Sequence, residues 1–267
     1  MKYQGADISP WSAYALRLAA GSIILLRYFR PGAIPWRKAS IVAVFLNLIP
    51  GVIMYSSVNL LTTGFVAVCF AGTPMAAGII RALLKMENFG IVMGLCSTAA
   101  IFGVYLMVQG SHSIATQPLA MAICIGGVIS YAAGYVLLER WSRGGGAMVP
   151  VSLISLAALS PALVLPPHPS LGSIGVGITL GIAVTGFGSL IFGYLVVTIG
   201  AERTAYTDVI IGALALLLGG WFGREPLTWY TLGGASFVLL AVLMRFLIPR
   251  TSKRKTGASD GFESIIA

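Results

Sequence analysis

Nine long apolar stretches divide the chain, and they constrain its fold more than any other feature. Each is about as long as the roughly 20 residues that a helix needs to cross a bilayer. In lipid every backbone polar group must be paired within the segment, and no stretch alternates like a barrel strand. The sequence therefore predicts an all-α, polytopic membrane protein. The predicted crossings are residues 10–29, 40–60, 62–84, 89–109, 118–138, 147–166, 173–198, 204–222 and 229–248.

Composition excludes most other classes of protein. Of the 267 residues 57% are hydrophobic and 9% are charged, and the mean hydropathy is +0.92, whereas a soluble domain carries about 25% charged residues. The nine crossings leave no room for a catalytic domain outside the membrane. The three cysteines lie in separate apolar runs, without metal-ligand spacing, so we expect small packing residues and neither a disulfide framework nor a metal site.

The sequence lacks the motifs of a nucleotide-driven pump and of a zinc hydrolase. There is no phosphate-binding loop and no His-Glu-x-x-His, and we expect no cofactor. The two histidines, His112 and His168, fall in predicted external loops. A lipid-modifying enzyme would need acid and base groups that reach the same atom, but His112 and Asp208 are predicted on opposite sides. We therefore expect a protein that is not an enzyme, and any uphill movement of a solute would draw on a gradient.

The positive charges predict the orientation in the membrane. The net charge of +9 indicates topology rather than a nucleic-acid partner, because Lys and Arg are retained in cytoplasmic loops. One set of alternate loops, with the tail, holds thirteen Lys and Arg, and the opposite set holds two, Lys2 and Arg224. The carboxyl terminus is thus predicted in the cytoplasm and the amino terminus outside. The thirteen are Arg27, Arg30, Arg37, Lys38, Arg81, Lys85, Arg140, Arg143, Arg203, Arg250, Lys253, Arg254 and Lys255.

An internal repeat appears when the chain is shifted by 138 residues. Glu87 then falls on Glu225, and Ala67 falls on Ala205. Four consecutive crossings pair in this way, and 118–138 stays unpaired, so the repeat predicts two five-helix units whose very first helix would precede Met1. Units with an odd number of helices cross the bilayer in opposite senses, which is the inverted-repeat plan of secondary transporters. We predict a first repeat over 1–112, a second over 113–249 and a disordered cytoplasmic tail over 250–267.

Both copies resemble a known family. The stretch Thr62–Val68, then Thr73-Pro74 and Glu87, looks like the EamA-type repeat of the drug/metabolite transporter superfamily. The second copy opens with Gly200–Ala205 and continues with Gly223–Thr228. The resemblance runs from about residue 9 to residue 248. It implies a ten-helix plan, here without the first helix, and a secondary transporter that exports a small metabolite or amino acid by alternating access. A truncated or non-transporting membrane subunit is the alternative.

The resemblance also implies partners and a location. We expect a small-molecule substrate and the lipid bilayer as partners, with no nucleic acid, and a homodimer is left open. The expected location is the bacterial inner membrane.

Two ionisable residues inside predicted crossings are candidates for a functional role, because charge is costly there and often functional. Asp208 would take a proton or pair with a substrate amine, or else form an ion pair with Arg203 one turn away. Arg17 would meet an anionic substrate group, or else clamp neighbouring carbonyls. The resemblance places an arginine at this position, which favours the clamp. Glu87 and Glu225 are interpreted as helix caps.

Six neutral polar residues complete the predicted substrate site. Tyr131 and Tyr135 are spaced i, i+4 and share one face of a helix. Several aromatic hydroxyls around one cavity would receive an amphipathic or zwitterionic solute, although each tyrosine alone equally fits a packing role. The six are Tyr55, Asn59, Thr73, Tyr131, Tyr135 and Tyr194.

Overall fold

The regular secondary structure is helical throughout the part of the chain that the structure describes. This computed structural model describes residues 9–30, 32–57, 66, 69–86, 91–109, 118–142, 145–163, 170–205, 207–208, 211 and 228–247. The α-helices are α1 (Pro10–Leu26), α2 (Trp36–Ala43), α3 (Ile49–Ser57), α4 (Thr73–Leu83), α5 (Ile91–Gln109), α6 (Pro118–Trp141), α7 (Met148–Leu159), α8 (Leu171–Leu180), α9 (Ser189–Ile199), α10 (201–205 and 207–208) and α11 (Trp229–Leu247).

The predicted crossings coincide with these helices wherever the chain is described. By length and composition, three helices in the described ranges can cross a membrane: Trp36–Met54, Leu119–Trp141 and Leu171–Ile199. Three shorter apolar helices accompany them, Trp11–Leu26, Met148–Ala162 and Leu232–Met244. The all-α, membrane-type architecture is therefore confirmed, and the full set of nine crossings stays a prediction.

Two long helices are interrupted by π-helical turns. The first, π1 (Val44–Leu48), joins α2 to α3, and the second, π2 (Gly181–Gly188), joins α8 to α9. Shifting π1 by the 138 residues of the sequence repeat places it at 182–186, inside π2. The same irregularity thus recurs at the offset that the sequence repeat predicts. Such turns leave the regular hydrogen-bond pattern of a helix and are frequent at functional sites.

Local sequence explains where several helices begin and end. Ser9 caps α1, with its Oγ accepting from the Ser12 amide at 3.1 Å, and a proline follows at the first helical position. Ser170 caps α8 in the same way, at 3.2 Å from the Ser173 amide. Between α9 and α10, Gly200 has a φ of +95°, a backbone region that glycine enters without strain. This residue separates the two helices and sets the position of α10.

Helix α6 lies at the centre of the bundle. It packs against α2, α3, α4, α9 and π1, and half of its apolar window is buried. At Gly134 the fit is so close that an added Cβ would lie 2.7 Å from the Leu46 Cα. Ser130 of the same helix donates to the Phe45 carbonyl of π1 at 3.0 Å. Close packing and side-chain hydrogen bonds therefore hold α6 against the first π turn.

Basic loops from separate parts of the chain meet at one end of the bundle. Lys38 Nζ lies 5.7 Å from the centre of the Trp141 ring, and a Cβ on Gly146 would lie 3.2 Å from the Arg30 Cβ. Arg81 forms an ion pair with Glu139 at this end. The charge distribution predicts that these loops share one side of the membrane, and their proximity agrees with that prediction. We name this the basic end.

Candidate functional site

A hydrogen bond between two predicted site residues joins α6 to α10. The Tyr135 hydroxyl donates to Asp208 Oδ2 at 2.7 Å. Tyr135 is fully buried, with 0% of its surface exposed. The hydroxyl thus holds one oxygen of the Asp208 carboxyl group against α6. This contact is the centre of the candidate site.

Four aromatic rings continue from this hydrogen bond in a chain of edge-to-face contacts. The Tyr131 and Tyr135 ring centroids lie 4.8 Å apart, which confirms that the i, i+4 pair shares one face of α6. Tyr135 in turn packs against Phe192 at 4.4 Å, and Tyr131 packs against Phe70 at 5.6 Å. Perpendicular rings at such distances are the favoured aromatic geometry. The chain of rings therefore places aromatic surface on both sides of the Tyr135 ring.

Helix α1 binds both π turns beside this site. The Tyr14 hydroxyl donates to the Asn47 carbonyl in π1 at 2.8 Å, and Arg17 Nε donates to Thr185 Oγ1 in π2 at 2.8 Å. Arg17 thus brings a guanidinium to the contact between α1 and π2, with its Nε bonded to a side-chain hydroxyl.

Asp208 and Arg203 do not form the ion pair that was one of the two predicted alternatives. Both residues belong to the described part of α10, where Arg203 is exposed and the partner of Asp208 is Tyr135. The side chain of Asp208 thus faces the helix bundle rather than the basic end.

The structure does not bring all the predicted site residues together. The Thr73 hydroxyl is buried and bonds the Phe70 carbonyl within the preceding turn, so it has a local structural role. Tyr194 is half-buried on α9. Tyr55 lies on α3, but its side chain is outside the described residues, and Asn59, Glu87 and Glu225 lie wholly outside them.

Sequence reasoning missed several residues around the site. Phe192 and Thr185 stand in apolar runs with nothing to distinguish them from packing residues. Glu139 did carry a signal, since it is an acidic residue in a basic loop and lies one turn after Tyr135 on α6. Arg81 was interpreted as a topology signal alone, and the structure places it in an ion pair with Glu139.

The arrangement offers the Asp208 carboxyl group and tyrosine hydroxyls beside aromatic rings, and α1 adds the Arg17 guanidinium at its contact with π2. These groups suit a small solute with a positive amine and a polar or anionic group. Within the described ranges, no three His, Cys, Asp or Glu side chains cluster as metal ligands would. The three cysteines are free and buried, which confirms their interpretation as packing residues.

Comparison with known proteins identifies a relative and a shared fold. No protein-family model matches the chain. It is 27% identical to a protein of Archaeoglobus fulgidus named "Uncharacterized transporter", over an alignment of 266 residues that covers 91% of this chain and 90% of that protein. It also has the fold of a solved structure described as "Crystal structure of protein", with a TM-score of 0.65, 14% identity, and coverage of 93% of this chain and 90% of that chain.

The relative and the apolar helices together support a membrane transporter in general terms. Nothing in these likenesses names a substrate or a direction of transport.

Proposed function

We propose that the chain is a secondary-active transporter of the EamA type, within the drug/metabolite superfamily, that exports a small metabolite or amino acid by alternating access. The Tyr135–Asp208 hydrogen bond carries this proposal. It places a carboxyl group beside aromatic rings at the contact between α6 and α10, two helical turns from the Ala201 end of α10. The transporter-named relative and the recurrence of the π turns at the repeat offset support the same conclusion.

The site works by exchange of hydrogen-bond partners. Asp208 is bonded to Tyr135 here, and a substrate ammonium group that binds Asp208 displaces the tyrosine hydroxyl. The freed hydroxyl then donates to another acceptor on the substrate, such as a carboxylate or carbonyl. Because Tyr135 is fully buried, this exchange requires α6 and α10 to separate, which couples binding to a conformational change.

Alternating access follows from the inverted-repeat prediction. Two units of opposite orientation rock about a site at their interface, so that the site opens to one side at a time. The helix irregularities at π1 and π2 occupy equivalent places in the two units, and α1 contacts both of them, through Tyr14 and Arg17. The predicted nine crossings, the cytoplasmic carboxyl terminus and the inner-membrane location belong to this proposal.

Flux into proteoliposomes tests the proposal. Labelled amino acids and small cationic metabolites are supplied to vesicles that carry the parent protein, Asp208→Asn or Arg203→Gln, with and without a pH gradient. We expect the parent to transport at least one of them, Asp208→Asn to lose at least tenfold of that flux, and the exposed Arg203→Gln control to stay within twofold.

Two outcomes would contradict the proposal in different ways. If Asp208→Asn kept the flux of the parent protein and its response to pH, Asp208 would have no role in substrate binding. Equal accumulation of every solute in empty vesicles and in vesicles that carry the parent protein would reject the transporter proposal and favour the non-transporting subunit.

A further inference from the structure

Three helices meet in a single contact at the basic end of the bundle. Arg81, in the last turn of α4, forms an ion pair with Glu139 near the end of α6. The same carboxylate accepts from the amide of Ala201, the first residue of α10, at 3.1 Å. The Arg81 and Glu139 side chains are 12% and 14% exposed. We name this contact the α4–α6–α10 junction.

The local backbone is shaped to admit the carboxylate. The Ala201 amide belongs to the first turn of α10, where amides lack helical partners and the helix dipole favours a negative charge. Gly200 precedes it with a φ of +95°, and a Cβ there would lie 3.1 Å from Glu139 Oε1. Any larger residue at position 200 would therefore be strained and would also crowd the carboxylate.

The junction shares two helices with the candidate site. Tyr135 and Glu139 are four residues apart on α6, and Asp208 and Ala201 are seven residues apart on α10. Both spacings place the two residues on one helix face. The Glu139–Ala201 and Tyr135–Asp208 bonds are thus two successive links between the same pair of helices. Separation of α6 from α10 at the site strains the junction, and an open junction weakens the hold on Tyr135.

The junction also crosses the boundary between the two predicted repeats. Arg81 belongs to the first predicted repeat, whereas Glu139 and Ala201 belong to the second. A charge pair that joins the two units at one end stabilises the arrangement in which that end is closed. Its groups are mostly withdrawn from water, so loss of the Arg81 guanidinium leaves the Glu139 carboxylate poorly solvated, and loss of the Glu139 carboxylate removes both the ion pair and the Ala201 hydrogen bond.

We propose that the α4–α6–α10 junction is a gate that closes the basic end, predicted to face the cytoplasm, and that opens to admit substrate to the Tyr135–Asp208 site. This inference rests on the proposed transport function. The ion pair and the Ala201 hydrogen bond break together when the gate opens, and both form again when it closes. The structure thus represents the state in which the basic end is shut.

Accessibility of a buried cysteine tests the gate without any measurement of transport. Ala205 lies on α10 between the two links and is fully buried. In a background with the three native cysteines replaced by alanine, Ala205→Cys is treated with a membrane-impermeant thiol reagent from the cytoplasmic side of vesicles. We expect slow labelling when the junction is intact, and at least tenfold faster labelling with Glu139→Gln or with Arg81→Gln.

Matched controls separate the gate from general loosening. Arg140→Gln removes an exposed charge beside Glu139, and we expect labelling within twofold of the intact protein. Arg203→Cys, at an exposed position on α10 that is predicted to be cytoplasmic, reports that the reagent reaches this end of the helix in every variant. Should Glu139→Gln and Arg81→Gln destabilise the fold, Glu139→Asp keeps the charge with a shorter reach and is expected to give an intermediate labelling rate.

The outcomes distinguish the gate from the transport function. Labelling of Ala205→Cys that is equally slow in the intact protein and in all junction variants would overturn the gate, whatever the flux. Faster labelling in a protein that moves no tested solute would retain the opening and reject the transport function. Faster labelling together with loss of flux from the cytoplasmic side is the result that the gate predicts.

Discussion

Replacement of Gly181 by alanine tests whether α1 and π2 pack as closely as the structure shows. A Cβ at this position would lie 2.6 Å from the Arg17 carbonyl oxygen and 2.7 Å from the Ala20 Cβ. One of these neighbours is backbone, so relief requires a shift of α1 itself. Overpacking of this kind typically costs about 1–3 kcal/mol of folding free energy.

Gly175 is the matched control for this substitution. It lies on α8 in the same predicted crossing, and an added Cβ would meet nothing within 4 Å. Alanine there gains roughly 0.5–1 kcal/mol from the lower entropy of the unfolded chain. The same entropic gain applies to Gly181→Ala and cancels in the comparison, so the two variants should differ by the overpacking cost alone, about 1–3 kcal/mol.

Thermal unfolding in detergent measures the difference, with a fluorogenic thiol dye that reports exposure of the buried cysteines Cys69, Cys96 and Cys124. We expect Gly181→Ala to lower the Tm by about 2–12 °C, and Gly175→Ala to leave it unchanged or raise it slightly. Equal Tm values for the two variants would refute the close contact between α1 and π2. Arg17 would then have to reach its partner across a looser interface.

Two further substitutions test the helix packing and the hydrogen bonds beside the site with the same dye. Gly134→Ala should lower the Tm by about 2–12 °C, because its Cβ would lie 2.7 Å from the Leu46 Cα. Gly126→Ala, on the same helix but with open space around it, should leave the Tm unchanged. Similar Tm values for the two variants would contradict the packing of α6 on π1. Thr185→Val keeps the side-chain shape and removes the acceptor of Arg17 Nε, so it should cost about 1.5–3 kcal/mol, and an unchanged Tm would show that this hydrogen bond is not needed.

Helix positions followed from the sequence because apolar length is a strong signal in lipid. The helix from 118 onward began where it was predicted, at Pro118, and ran three residues further, to Trp141. The π turns could not be predicted, since they lie at close contacts with helices that are distant in the sequence, as at Gly134 against Leu46 and at Gly181 against Arg17. The carbonyls of π1 are bonded by hydroxyls of distant helices, as Ser130 does for Phe45.

The candidate site was predicted in part. Tyr131, Tyr135 and Asp208 stood out because polar groups in a crossing are costly and their spacing defines a helix face. Their apolar neighbour Phe192 carried no such signal. Glu139 and Arg81 are 58 residues apart in the chain, and local patterns cannot show that two such residues meet. Only the fold shows that the end of α4 supplies the partner of an acidic residue near the end of α6.

The opposed orientation of the two repeats is the central claim, and reporter fusions on either side of α6 test it most directly. Alkaline phosphatase is active only outside the cytoplasm. Green fluorescent protein fluoresces only inside the cytoplasm, because it does not become fluorescent when it is exported unfolded. Each reporter is fused after residue 114 and after residue 144. We predict active phosphatase when it is fused after residue 114, and fluorescence when green fluorescent protein is fused after residue 144. If both fusion points lay on one side of the membrane, that result would contradict the inverted repeat and the transporter proposal with it.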